Sequence, residues 1–125
     1  MKKKVSAKNA PKEIGAYSNA IKVGNMVFVS GQLPVNPETG LIPEGIQAQT
    51  MQVIENVRNI LADAGATLDN VVKTTVILSE MYLFSEMNEI YAREFKVPYP
   101  ARTSMAVKEI PQNTLIQFDV IAVLD

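Results

Sequence analysis

The stretch Leu115-Ile116-Gln117-Phe118-Asp119-Val120-Ile121-Ala122-Val123-Leu124 reads as one long β-strand, free of glycine and proline. Side chains alternate across a strand. Ile116, Phe118, Val120, Ala122 and Leu124 therefore take one face, and Leu115, Gln117, Asp119, Ile121 and Val123 the other. Both faces are largely apolar, so both need cover. Any sheet built around this strand has to be covered on two sides.

Working outward, the helical period supplies one cover. From Ile46 to Ala64 an apolar stripe runs through Ile46, Met51, Val53, Ile54, Val57, Ile60, Leu61 and Ala64, with Gln47, Gln52, Glu55, Asn56, Arg58, Asn59 and Asp63 off it. Gly65 stands where a helix-ending residue of positive φ is expected. A second helix is predicted over Tyr82–Phe95 from Leu83, Phe84, Met87, Ile90, Tyr91 and Phe95, with Asn88 at the border of the stripe. Between the helices Val71–Leu78 is almost continuously β-branched and reads as an interior strand interrupted by Lys73. Upstream, Lys3–Ala7 is a short first strand. Ala20–Val23 and Met26–Ser30 form a hairpin about Gly24-Asn25. Asn9–Ser18 and Leu33–Glu44 are loops, the latter turning at Asn36-Pro37-Glu38-Thr39-Gly40.

The order is strands, helix, strand, helix, strands, with no repeat or linker. That is an α+β fold, a mixed sheet with two helices on one face, in one domain over residues 1–125. Two helices cover one face only. The other is expected to meet a second copy of the chain in an obligate homo-oligomer.

Composition narrows the chemistry. The chain has 125 residues, a formal net charge of −1, no cysteine and no histidine. Thiolate nucleophiles, disulfides, thiolate zinc sites and a Ser-His-Asp triad are excluded. No acidic cluster has the spacing of a metal site, so no metal and no cofactor is expected. The run Lys2-Lys3-Lys4 is too short for a phosphate-backbone footprint, and nucleic acid is not an expected partner. No window is long enough to span a membrane and no secretory signal is visible, so the expected address is cytoplasmic with no membrane association.

One cation stands apart. In Pro98-Tyr99-Pro100-Ala101-Arg102-Thr103-Ser104-Met105-Ala106-Val107 two prolines stop the second helix and an extended run carries Arg102. A guanidinium in such a run needs an anionic partner or ligand, and its planar fork suits a carboxylate. The alternatives are a structural Arg–carboxylate pair or an edge arginine reaching solvent. If Lys108–Thr114 closes a symmetric antiparallel hairpin with the last strand, Arg102 faces Asp119, Ser104 faces Gln117 and Ala106 faces Leu115. Arg102 and Asp119 are then either an anion anchor with a water-orienting acceptor, or a buried ion pair. Tyr17, in the loop Ile14-Gly15-Ala16-Tyr17-Ser18-Asn19, is either a packed surface aromatic or a functional hydroxyl. Gly31 at a strand end admits close approach of a ligand or another backbone.

Four stretches in order, Ile14-Gly15-Ala16-Tyr17-Ser18-Asn19-Ala20, Val29-Ser30-Gly31-Gln32-Leu33-Pro34-Val35, Val72-Lys73-Thr74-Thr75-Val76 and Pro100-Ala101-Arg102-Thr103-Ser104, resemble the signatures of the Rid (YjgF) family, the reactive intermediate deaminases. The resemblance implies a chorismate-mutase-like fold and a homotrimer with three clefts between subunits. It implies hydrolysis of 2-iminopropanoate and 2-iminobutanoate to 2-oxo acids and ammonia. By position it makes Arg102 the carboxylate-binding arginine and Tyr17 the cleft tyrosine. Gly31 and Asn88 match the loop glycine and the second-helix asparagine. Asp119 stands where the family has a glutamate, one methylene shorter, and Ser104 where it has a cysteine. The expected catalytic set is Arg102, Asp119 and Tyr17, and the substrate-binding set Arg102, Tyr17, Gly31, Ser104 and Asn88. The alternative is a non-catalytic trimer that binds small 2-oxo acids or related carboxylates in a regulatory or chaperone-like role.

Overall fold

Eight regular elements carry the structure, a computed structural model describing residues 1–125. They are β1 (Lys3–Lys4), β2 (Ala20–Val23), β3 (Met26–Gln32), α1 (Ile46–Asp63), β4 (Val71–Leu78), α2 (Phe84–Glu94), β5 (Ala101–Ala106) and β6 (Ile116–Val123). The strands make one six-stranded sheet in the order β1-β2-β3-β6-β4-β5. Both helices lie on one face, as the apolar stripes require. Ile46, Val53, Ile54, Val57, Ile60 and Leu61 of α1, and Met87, Ile90 and Tyr91 of α2, are buried there. Against them the strands present Val27, Val76, Leu78, Phe118, Val120 and Ala122. The Phe118 ring meets Tyr91 and Phe95 edge-on at centroid distances of 6.2 and 6.1 Å, the favoured arrangement for aromatic quadrupoles.

Helix ends and turns follow local chemistry. Gly65 has φ +83° just past α1, and the amide of Ala66 donates back to the carbonyl of Leu61 at 2.8 Å, closing the helix with a left-handed residue. Gly24 has φ +57° in the β2–β3 hairpin, where Val23 pairs with Met26. The first strand is shorter than its expected span. The second helix begins two residues later, at Phe84, after a single 3-10 turn over Met81–Leu83.

Polar residues of α1 depart from the expected stripe. Asn56 is fully buried rather than off it; its amide donates to the carbonyls of Leu33 and Val35 at 3.1 and 3.0 Å. Gln49, also buried, donates to the Pro43 carbonyl and accepts from the Leu115 amide. These two side chains supply the hydrogen bonds that the long loop after β3 cannot make to itself. Asn56→Leu leaves the part-buried Val35 carbonyl without a donor, while the Leu33 carbonyl keeps the Val35 amide at 2.8 Å. It is expected to cost about 1–3 kcal/mol by urea unfolding, the scale of one stranded group.

The topology overturns the hairpin expected between the Arg102 strand and the last strand. β5 pairs with β4 alone, in parallel, so Thr74 is opposite Arg102 and Val76 opposite Ser104. β6 lies between β3 and β4, antiparallel to both, with Asp119 opposite Thr75. The physical reason is the helix between β4 and β5. A strand–helix–strand unit brings the chain back in the same direction, and its strands pair in parallel. β6, apolar on both faces, takes the position with two strand partners. β5, carrying the charge, is left at the edge.

The face away from the helices is uncovered in the single chain. Val23, Met26, Phe28 and Met105 are each 36–40% exposed on it. Strand register lines them up with Ile21, Ile121, Val123 and Ile77.

Candidate functional site: an arginine platform and a bulged cleft

Arg102 projects from edge strand β5 onto α2, where Phe84, Asn88 and Tyr91 share one helix face at intervals of four and three. The guanidinium carbon lies 4.7 Å from the Tyr91 ring centroid and 5.1 Å from that of Phe84. One terminal nitrogen donates to Asn88 Oδ1 at 2.7 Å. The rings hold the cation by its face, and the amide fixes rotation about the fork.

No carboxylate pairs with Arg102: the ion pairs of the chain are Lys4–Glu13, Arg58–Glu55, Arg58–Glu94 and Arg93–Glu94. The remaining guanidinium donors therefore stay available in an open groove of about 390 Å³ formed with Asn88, Tyr91, Ala92, Tyr99 and Pro100. Beneath it the Tyr91 hydroxyl is 2.9 Å from Thr74 Oγ1. Burial raises the Tyr91 pKa, with the Thr74 hydrogen bond and the Arg102 charge opposing, so the ring under the cation is a neutral phenol. Ser104, two residues along the same face, has a hydroxyl shut off from solvent with no hydrogen-bond partner. The sequence alone does not join the aromatic platform and the free fork into a unit, although the helical spacing of Phe84, Asn88 and Tyr91 carries the signal.

Asp119 lies on the other face. Strand register places it in a row with Thr75 and Thr103, one residue out of phase with Arg102. Lys73, on the same face, donates to Thr103 Oγ1 at 2.8 Å and to the Thr74 carbonyl at 3.2 Å. Burial raises the pKa of Asp119, with a hydrogen bond from Thr75 and the Lys73 charge pulling the other way. A carboxyl held above its ordinary range is closer to exchanging a proton near neutral pH. The linkage has a definite sign. The folded state holds the Asp119 proton more tightly than the unfolded chain, so its contribution to stability falls as pH rises through the window between the two pKa values. Asp119→Asn is expected to remove that fall, seen as a flatter difference between denaturation midpoints across the acidic range.

Opposite Asp119 the sheet is irregular. Val29 pairs with Val120 and Gln32 with Phe118, so Ser30 and Gly31 together oppose Asp119 in a β-bulge, a device that re-aims the chain beside functional sites. Ser30 Oγ donates to the Ser18 carbonyl at 2.6 Å, which ties the bulge to the loop bearing Tyr17. The Tyr17 hydroxyl accepts from the Ile14 amide at 3.2 Å, and the ring is 47% exposed. Tyr17, Ser30, Gly31 and Gln117 border a cleft of about 740 Å³ that continues past Val35, Pro37 and Gln112. The glycine at position 31 answers a side chain: a Cβ there would collide with Gln117 Nε2.

The expected residues thus fall into two groups. Arg102, Asn88 and Ser104 belong to the helix-facing side at the β5 edge. Tyr17, Gly31 and Asp119 belong to the bulged region around β3 and β6. Within one chain, the cross-strand pairing of Arg102 with Asp119 does not form, either as an ion pair or as a shared pocket. Alternation and the parallel β4–β5 register put the two on opposite faces of the sheet.

A six-stranded mixed sheet in this order, with two helices on one face, is the chorismate-mutase-like α+β fold. The model of the family described as Endoribonuclease L-PSP matches residues 7–124. A RutC family protein of Pyrococcus abyssi is 48% identical over 122 residues, covering 97% of this chain and 96% of its own. Chloroplastic Reactive Intermediate Deaminase A of Arabidopsis thaliana is 44% identical over 124 residues, covering 98% of this chain and 66% of that protein. The crystal structure of E. coli TdcF with bound serine superposes with a TM-score of 0.94 at 35% identity, over 98% of this chain and 99% of that one. The chain belongs to the Rid (YjgF) family.

Proposed function

We propose that this protein is an imine deaminase that hydrolyses small 2-imino acids, such as 2-iminopropanoate and 2-iminobutanoate, to 2-oxo acids and ammonia in the cytoplasm. The observation that carries the reading is Arg102, whose guanidinium rests on two rings and one amide and has no carboxylate of its own. Such a fork is preorganised for a carboxylate from outside the fold. One relative supports the chemistry by name, the Arabidopsis reactive intermediate deaminase, and TdcF, with bound serine, supports a ligand that carries an α-carboxylate.

In this reading the complete site forms between copies. The exposed apolar face of the sheet is buried in a homotrimer. The Arg102 edge of one protomer then closes against the Tyr17–Gly31–Asp119 region of the next. Arg102 binds the substrate carboxylate with two parallel hydrogen bonds, and Asn88 holds the fork in place. Asp119 orients a water toward C2, whose imine carbon is already electrophilic. The water oxygen bonds to C2 as the C=N π pair moves to nitrogen; one water proton passes to the Asp119 carboxylate and on to the nitrogen, with Tyr17 as relay, giving a carbinolamine. Its hydroxyl proton then follows the same route to the nitrogen as the C–N bond breaks, so that the carbonyl forms and ammonia leaves the 2-oxo acid. No nucleophilic side chain is needed, in keeping with a sequence that has neither cysteine nor histidine.

The test is release of ammonia and 2-oxobutanoate from 2-iminobutanoate generated by an amino-acid dehydratase, with and without the protein. Acceleration above the spontaneous rate is expected. Binding of 2-oxobutanoate without acceleration would instead establish a carboxylate-binding protein. Sedimentation equilibrium at micromolar concentration is expected to give a trimer, and a stable monomer would remove the two-copy site.

A further inference from the structure

Resting on the reading of Arg102 as the carboxylate anchor, we infer that Thr74, out of reach of any substrate, is a positioning residue for that anchor. Through the Tyr91 hydroxyl it fixes the ring on which the guanidinium lies, and so sets how tightly a small 2-oxo or 2-imino acid is held. Three side chains support Arg102. Asn88 and Phe84 are only half-buried at the surface of α2. Tyr91 is 4% exposed and is the part of the platform rooted in the core. Its ring lies 4.5 Å from that of Phe95, centroid to centroid, and 4.7 Å from the guanidinium carbon. The tilt of this ring decides whether the cation meets its face, where the attraction lies.

Packing alone leaves that tilt loose. Beside Tyr91 the core has a gap too small for water, walled by Ile54, Val76, Met87, Ile116 and Phe118. A directional bond supplies what packing there does not. The hydroxyls of Thr74 and Tyr91 are 2.9 Å apart, and each is the other's only hydrogen-bond partner in the protein. Thr74 is fully buried. Stability does not require such a pair, because replacing both partners by apolar groups of the same shape is close to neutral. Valine and phenylalanine would serve the core equally well. What the hydroxyl pair adds is orientation. Thr74 is also the residue opposite Arg102 in the parallel β4–β5 register, so one position of β4 faces the cation's strand and holds the ring beneath the cation.

The test separates position from stability. Thr74→Val is expected to weaken calorimetric binding of 2-oxobutanoate about fivefold, the worth of one exposed cation–π contact. It also strands the Tyr91 hydroxyl and is expected to lower the urea midpoint. Thr74→Ser keeps the hydroxyl and is expected to bind within about twofold of native. The double variant Thr74→Val with Tyr91→Phe leaves no hydroxyl unpaired. Its urea midpoint is expected to return close to native while its binding stays about fivefold weak. Affinity that recovers together with the midpoint makes the pair merely structural and overturns the inference. A Thr74→Val affinity within about twofold of native, or Thr74→Ser binding as weakly as Thr74→Val, overturns it too. If native protein binds no 2-oxo acid, the reading of Arg102 as anchor has failed separately. Thr74 is then judged from the heteronuclear NOE of the Arg102 Nε–H group, resolved in a chain whose other arginines are Arg58 and Arg93. A lower NOE in the double variant than in native protein supports the inference, and an unchanged one rejects it.

Discussion

Asp119→Asn is expected to hydrolyse 2-iminobutanoate about two to four decades more slowly than native protein, the usual worth of a positioned acid–base group. Affinity for 2-oxobutanoate is expected to stay within a few-fold, because Arg102 holds the carboxylate and lies on the other face of the sheet. The split between rate and affinity is the informative part. A residue that only supports the fold would lower both through loss of assembled protein. Asp119 also has an environment suited to the work. Burial raises its pKa while Thr75 and Lys73 restrain the rise, so it can take a proton from water and return it to the departing nitrogen. Asp119→Glu keeps the charge and adds one methylene, and is expected to recover most of the rate that asparagine loses. A near-native rate in the asparagine variant would show that the carboxylate is not the water-orienting group.

Arg102→Ala is expected to weaken 2-oxo acid binding by about 2–5 kcal/mol in a desolvated interfacial site, roughly thirtyfold to several-thousandfold. The fold should survive. No carboxylate is left unpaired by the change, and the lost contacts with Phe84 and Tyr91 at an exposed site are worth only about 0.5–1 kcal/mol. Arg102→Lys is expected to recover little affinity. An ammonium offers a point charge without the fork, and it does not reproduce the flat stack on Tyr91. Asn88→Ala is the companion measurement, with a smaller loss of affinity, since it frees rotation of a cation that remains. Unchanged calorimetric affinity in Arg102→Ala would make the arginine a surface feature of the β5 edge.

The periodicities of the chain determined by themselves that there are two helices, that they share one face of a mixed sheet, and that the sheet's second face is apolar. These are one-dimensional signals: a spacing of three and four in Ile46–Ala64, alternation in Leu115–Leu124, a left-handed turn at Gly65. Residue type likewise marked Arg102 as a cation in need of an anion and excluded histidine and thiol chemistry. Strand order was partly legible too, because the helix between β4 and β5 points to a parallel pair; a tight hairpin between β5 and β6 runs against that signal. Other features depended on contacts between residues far apart in the chain. Only the folded sheet shows that Arg102 rests on Phe84 and Tyr91, and that Gly31 is a glycine because Gln117 lies across it. Only it shows that Asn56, polar and apparently off the stripe, is buried to anchor the loop after β3. It also decided that Arg102 and Asp119 lie on opposite faces. A shift of one residue in strand pairing exchanges the faces of a strand. Register is set by which strands become neighbours, and that choice follows from packing the whole core around β6.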